Sequence, residues 1–202
     1  MASRIVHYSF AVLSILLVAC SGNDKGKSAD NYVLNLINER SEKDKHVIKD
    51  GIIEEDLLEK FKGLQYFDVD SSFKLKATII QCPLNKVEFK TTTERAPVYY
   101  TICKLRFKIK GVECELMAYA EDSLGQSGLF IPFKDLTSNK SSYGGGRYLD
   151  VKYNGEKESL TLDFNRAYNP YCHYNHSYSC PLVPIENTLK VAIEAGEKKL
   201  YE

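Results

Sequence analysis

The stretch LRFKIKGVECELMA, from Leu105 to Ala118, alternates apolar and polar residues on both sides of the pair Lys110-Gly111. Leu105, Phe107 and Ile109 share one parity, and Val112, Cys114, Leu116 and Ala118 resume it after the pair. Side chains two apart point to one face of a strand, so the pattern predicts two half-buried strands joined by a tight turn. The same period recurs outward in both directions. It runs through Phe73, Leu75, Ala77 and Ile79, through Val87 and Phe89, and then through Leu129 to Phe133, Arg147 to Tyr153, Glu158 to Phe164, and Leu189, Val191 and Ile193. No helical crossover lies between these segments, and parallel pairing needs one. The fold expected is therefore α+β and mainly β, an antiparallel β-barrel or sandwich of about eight strands with two N-terminal helices packed on one end. The first helix is read from Asp30 as N-cap to Lys49, on the spacing of Val33, Leu36, Ile37 and Val47. The second is read over Glu54 to Phe61, acidic in its first turn and stopped at Gly63.

Ahead of the helices the chain changes character. Arg4, an apolar run from Phe10 to Val18, and Leu17-Val18-Ala19-Cys20 read as a lipoprotein signal over residues 1–19, with Cys20 as the lipidated first residue of the mature protein. The run is shorter than the ~20 residues of a spanning helix. Residues 20–29 are small and polar, the composition of a flexible tether. Residues 30–202 remain as one globular domain, large enough for a sizeable core. The location expected is the bacterial cell envelope, with the lipid on Cys20 holding the protein to the membrane, on the periplasmic side of the outer membrane. Removing the signal takes away Arg4 and no other charge, so acidic residues exceed basic ones by one. So balanced a surface offers no field to attract nucleic acid.

The segment from Leu162 to Leu189, LDFNRAYNPYCHYNHSYSCPLVPIENTL, departs from the alternation. Asp163, Asn165, Arg166 and Asn169 follow Leu160, Leu162 and Phe164, where a strand runs out into a loop. Pro170, Pro181 and Pro184 exclude regular helix, and Tyr168, Tyr171, Tyr174 and Tyr178 supply large faces, each with one polar handle. Cys172 and Cys180 admit three readings: a disulfide closing a short loop, a zinc site with His173 and His176, or two free thiols. The zinc spacing is not a standard one, and the disulfide is the expectation. Upstream, the glycines of Tyr143 to Tyr148 lack both the P-loop and the dinucleotide spacing and read as a turn entering a strand.

Three pieces of this region, DFNRAYNPYC, CPLVPIEN and VAIEAGEK, resemble the signature of the bacterial family known as domain of unknown function 1684. Two upstream pieces agree, LFIPFKDLTSNKSSYGGGRYLDV from Leu129 to Val151 and KGLQYFDVDSSFKLKA from Lys62 to Ala77. The resemblance implies a shared fold and a shared site, and it carries no activity, since the family is named for having none assigned. Glu186 and Asn187 match the family's Glu-Asn pair. The family has a small residue where His173 stands, so no ligand role at that position is implied.

The chain has no HExxH, no GxSxG and no paired-carboxylate signature. What it has is a dense set of hydrogen-bonding residues: Arg147, Tyr148, Asp163, Asn165, Arg166, Tyr168 and Asn169, joined by Glu186 and Asn187. The reading is a binding module with a polar pocket, lined by tyrosine and arginine, for a small polar or anionic ligand or a protein partner, needing no cofactor and no metal. Its rival is an envelope hydrolase with Glu186 or Asp163 as general base. Two readings of Arg147 and Arg166 stay open: a planar fork meets an anionic ligand's carboxylate or phosphate through two hydrogen bonds, or the same arginines form internal salt bridges that fasten the loop to the sheet.

Overall fold

The computed structural model of the chain describes residues 24–155 and 158–200; Cys20 and the signal lie outside them. Two helices, α1 (Asp24–Lys49) and α2 (Glu55–Leu58), precede seven strands. These are β1 (Lys74–Gln81), β2 (Lys86–Glu88), β3 (Val98–Ile109), β4 (Val112–Ala120), β5 (Leu129–Phe133), β6 (Arg147–Val151) and β7 (Ser159–Asp163). They form one antiparallel half-barrel in the order β6-β5-β4-β3-β1-β7, with β2 pairing β3 beyond the end of β1.

The hairpin read from Leu105 to Ala118 holds residue for residue. Leu105 faces Leu116, Phe107 faces Cys114, and the turn residues Lys110 and Gly111 both have positive φ, at 49° and 83°. That is the conformation whose twist matches a two-residue hairpin. Most of the parity expected to be buried is buried, with Ala77, Ile79, Leu105, Phe107, Ile109, Cys114, Leu116 and Ala118 in the main core, but Val112 beside the turn is exposed.

Three readings need correction. Helix α1 begins at Asp24, so it runs through Asp30, which caps nothing, and through residues 24–29 of the expected tether. Its docked stripe is buried Leu36 and Val47 with half-buried Tyr32, Arg40 and Lys43, while Val33 and Ile37 are exposed. Apolar spacing finds Leu36 and Val47 but misses the rest of this face, which docks through polar contacts. Tyr32 donates to Asp163, Arg40 to the carbonyls of Phe67 and Asn165, and Lys43 to Glu197, while Asp44 accepts the N–H of Leu64. Helix α2 is a single turn that ends before Phe61.

The eighth strand does not form. Leu189, Val191, Ile193 and Ala195 are buried in strand-like alternation against the concave side of the sheet. Their backbone, however, is bonded elsewhere. The carbonyls of Ile193 and Ala195 accept from the Arg147 guanidinium, and the N–H of Ile193 donates to Asp135. A buried ion pair takes the place of part of a strand ladder.

Candidate functional site

A cavity of about 790 Å³ opens between the β5–β6 edge of the sheet, the adjoining ends of β3 and β4, and the loop from Tyr168 to Pro181. Its walls are aromatic. Tyr99 and Phe130 stack at 5.2 Å with an angle of 29°, and Phe130 meets Tyr148 edge-on at 4.8 Å. Tyr148 stands perpendicular to Tyr168 at 5.7 Å, and Tyr171 and Tyr178 form a second edge-on pair. Such interlocked rings lose little freedom when they receive a ligand, so their faces form a prearranged surface.

Few polar groups reach the cavity. Tyr168 donates to Asp150 Oδ2 at 2.7 Å, and the Tyr148 hydroxyl donates to the Pro181 carbonyl. Glu121 and Lys152 stand exposed at the rim. Lys43 reaches in from α1, 4.6 Å from the centre of the Tyr168 ring, but its ammonium is already paired with buried Glu197 at 2.5 Å. Burial raises the pKa of Tyr99, Tyr148 and Tyr168, assisted at Tyr99 by Glu121 and Asp150 and at Tyr168 by Asp150. These phenols stay protonated at neutral pH and act as hydrogen-bond donors.

Of the residues expected to build the site, only Tyr148 and Tyr168 line this cavity. Arg147 is 1% exposed and lies beneath it, bonded to Asp135 at 2.7 Å and to the carbonyls of Ile193, Ala195 and Glu197. Gly146 at its N-terminal side has φ +96°, and a Cβ there would come within 2.7 Å of the Phe133 carbonyl, so the turn that delivers Arg147 needs glycine. Asp163 is saturated by Tyr32, Asn165 and Arg166, and Arg166 also pairs with Glu39 on α1. Asn165 and Arg166 border a separate cleft of about 100 Å³ beside Arg40 and Tyr66. Asn169 bonds Tyr174 and the Lys198 carbonyl, and Asn187 bonds Met117 and Pro132. Glu186 is exposed and accepts from Tyr119. No arginine lines the large cavity, and neither Asp163 nor Glu186 faces it. Arginine borders the smaller cleft instead, through Arg40 and Arg166, while Arg147, Asp163 and Asn187 are buried with partners inside the fold.

Tyr99, Phe130 and Asp150 were hidden in the strands. Phe130 is out of phase with buried Leu129 and Ile131, and Tyr99 is only half-buried beside Tyr100. A large ring on the outward parity of a strand is the signal that marks them.

Cys172 and Cys180 are free thiols rather than the expected disulfide. The Cys172 N–H donates to Cys180 Sγ at 3.2 Å, and the loop is held by backbone bonds of Thr92 and Leu182 to Cys180 and Lys90. No cluster of three or more metal-ligating side chains occurs among the described residues, and His173 Nε2 instead accepts the Leu200 N–H at 2.9 Å.

A family model described as protein of unknown function DUF1684 matches residues 59–198. The chain is also similar to an uncharacterised protein of Haloarcula marismortui solved by NMR in solution, with 32% identity over 85% of this chain and 96% of that one and a TM-score of 0.68. No curated protein matches.

Proposed function

The chain belongs to the DUF1684 family, whose name assigns no activity, and from that premise we propose that it is a binding module whose ligand is a small polar molecule with a flat or ring-shaped face. The observation that carries this reading is the aromatic cavity of about 790 Å³, within the size range of small-molecule sites. Ring faces hold a flat ligand face by stacking, the hydroxyls of Tyr99, Tyr171 and Tyr178 offer donors, and Asp150 and Glu121 offer acceptors. Lys43 is committed to Glu197, which leaves Lys152 as the remaining cation at the rim. The charge balance therefore favours a neutral or cationic ligand over an anionic one.

We further propose that the protein is held at the bacterial envelope through a lipid on Cys20. The support is the signal-like run before Cys20; no helix among the described residues is long and apolar enough to cross a membrane. Replacing Cys20 by serine is expected to move the protein out of the membrane fraction, and retention there would contradict the anchor.

The pocket reading is tested by native mass spectrometry of the purified protein and its Ser127→Trp variant, exposed to a small-molecule extract of the source cells. Ser127 is an exposed rim residue, so the indole fills the cavity without entering the core. The expected result is an added organic mass on the unmodified protein that the variant lacks. An added mass on both, or on neither, would overturn the reading.

A further inference from the structure

Five cysteines stand among the described residues, and they differ in kind. Cys103 is sealed in the core, where burial pushes its thiol up to about 12, and burial likewise raises Cys82 and Cys114. Such thiols are poor nucleophiles. Cys172 and Cys180 instead form a mutually hydrogen-bonded pair. Only Cys180 borders the aromatic cavity; Cys172 lies behind it, against the Tyr143 and Thr92 hydroxyls. The Cys180 sulfur accepts the Cys172 N–H at 3.2 Å. Hydrogen bonds from the Cys172 thiol and from the backbone N–H groups of Cys172 and Tyr171 lower the Cys180 pKa, while that of Cys172 rises. Cys180, though largely buried, thus borders the cavity with hydrogen bonds that favour its thiolate, and a second sulfur lies in reach behind it.

We propose that Cys180 and Cys172 are a reactive dithiol that carries out thiol–disulfide exchange with a small disulfide entering the aromatic cavity, Cys180 attacking and Cys172 resolving. The Cys180 thiolate attacks one sulfur of R–S–S–R′, forming a Cys180–S–S–R bond and expelling R′S⁻. Cys172 then gives up its proton and attacks Cys180 Sγ, forming the Cys172–Cys180 bond and expelling RS⁻. The protein thiols lose two electrons and two protons, and the small disulfide gains both as two free thiols. The open cavity admits the disulfide to Cys180 alone, which sets the order of the two attacks. The inference goes beyond the pocket reading and is independent of which molecule the cavity ordinarily holds.

The test is to add oxidised glutathione to the reduced protein, quench with acid at intervals, and record intact masses with peptide mapping. The wild-type protein is expected to lose two hydrogens, with the new bond mapped to Cys172 and Cys180. Cys172→Ser is expected to stop with one glutathione on Cys180, and Cys180→Ser to react at least about tenfold more slowly. Wild-type mapping alone decides the matter if a variant does not fold. A glutathione that remains on Cys180 in the wild type, a first adduct on Cys172, or reaction at Cys82, Cys103 or Cys114 in preference to this pair would overturn the proposal.

Discussion

Arg147 and Tyr148 are neighbours in sequence and opposites in use. Arg147 points inward to Asp135, to the main chain of the last segment and to Thr137, and it is closed to solvent. Tyr148 points to the other side of β6, where its ring joins Phe130 and Tyr168 in the wall of an open cavity. Arg147 spends both terminal nitrogens on bonds inside the protein, leaving only its Nε without a partner, and so holds the fold together, whereas Tyr148 presents its ring to a cavity that can take a ligand. Function is located by which side chains border open space rather than by how polar a motif is.

The largest effect expected on the closed side is Arg147→Met. It leaves Asp135 as a buried uncompensated carboxylate and strips partners from the carbonyls of Ile193 and Ala195. Removing one partner of such a pair costs about 3–5 kcal/mol, read as a fall in the urea midpoint. An unchanged midpoint would break the contrast. Next is Asn187→Ala, which removes bonds to the N–H and carbonyl of Met117 and to the Pro132 carbonyl. With buried groups left unpaired, about 3 kcal/mol is expected from the same measurement.

A third test uses pH. Burial lowers the His173 pKa from 6.5 to about 4, and neutral Nε2 accepts from Leu200. A folded-state pKa below the unfolded one means the unfolded chain takes up the proton first. The contribution of neutral His173 is therefore complete above about pH 6.5 and is lost as the pH falls towards about 4, by about 2–3 kcal/mol. His173→Gln keeps an acceptor without titrating, so wild-type stability is expected to fall relative to this variant across that window. Parallel curves would show that His173 is not held neutral by the fold.

The smallest stability effects belong to the open side. Asp150→Asn and Glu186→Gln change exposed groups and are expected to shift unfolding by no more than about 0.5 kcal/mol. They separate in binding: Asp150 lines the cavity and Glu186 does not, so the first weakens a cavity ligand and the second leaves it unaltered.

The sheet was legible because a period of two survives translation into burial, as the hairpin from Leu105 to Ala118 demonstrates. The segment from Leu189 to Ala195 kept that period and still formed no strand, because its carbonyls bond to a side chain, Arg147, far away in sequence. Helix α1 was legible as a helix and in its buried Leu36 and Val47, but not in Arg40 and Lys43, which dock it through charged contacts that apolar spacing does not register. The candidate site was legible in its tyrosines and obscured by its polar motif. Asp163, Asn165, Arg166 and Asn169 look available in sequence, and only the tertiary structure reveals the partners of each inside the fold, with the Asn169 Oδ1 alone left without one among their buried atoms. Tyr99 and Phe130 required knowledge of which side of the sheet the loop covers.

The central claim is that the aromatic cavity, and not the polar motif around it, receives the ligand. The most direct test is a ¹H–¹⁵N correlation spectrum of the purified protein recorded against a library of small aromatic and heterocyclic fragments. Binding fragments are expected to shift the amides of Ser127, Gly128 and Leu129 together with those of Tyr178, Ser179 and Cys180, on the two sides of the cavity. Shifts confined to Arg166 and Glu186, or no shift from any fragment, would contradict it.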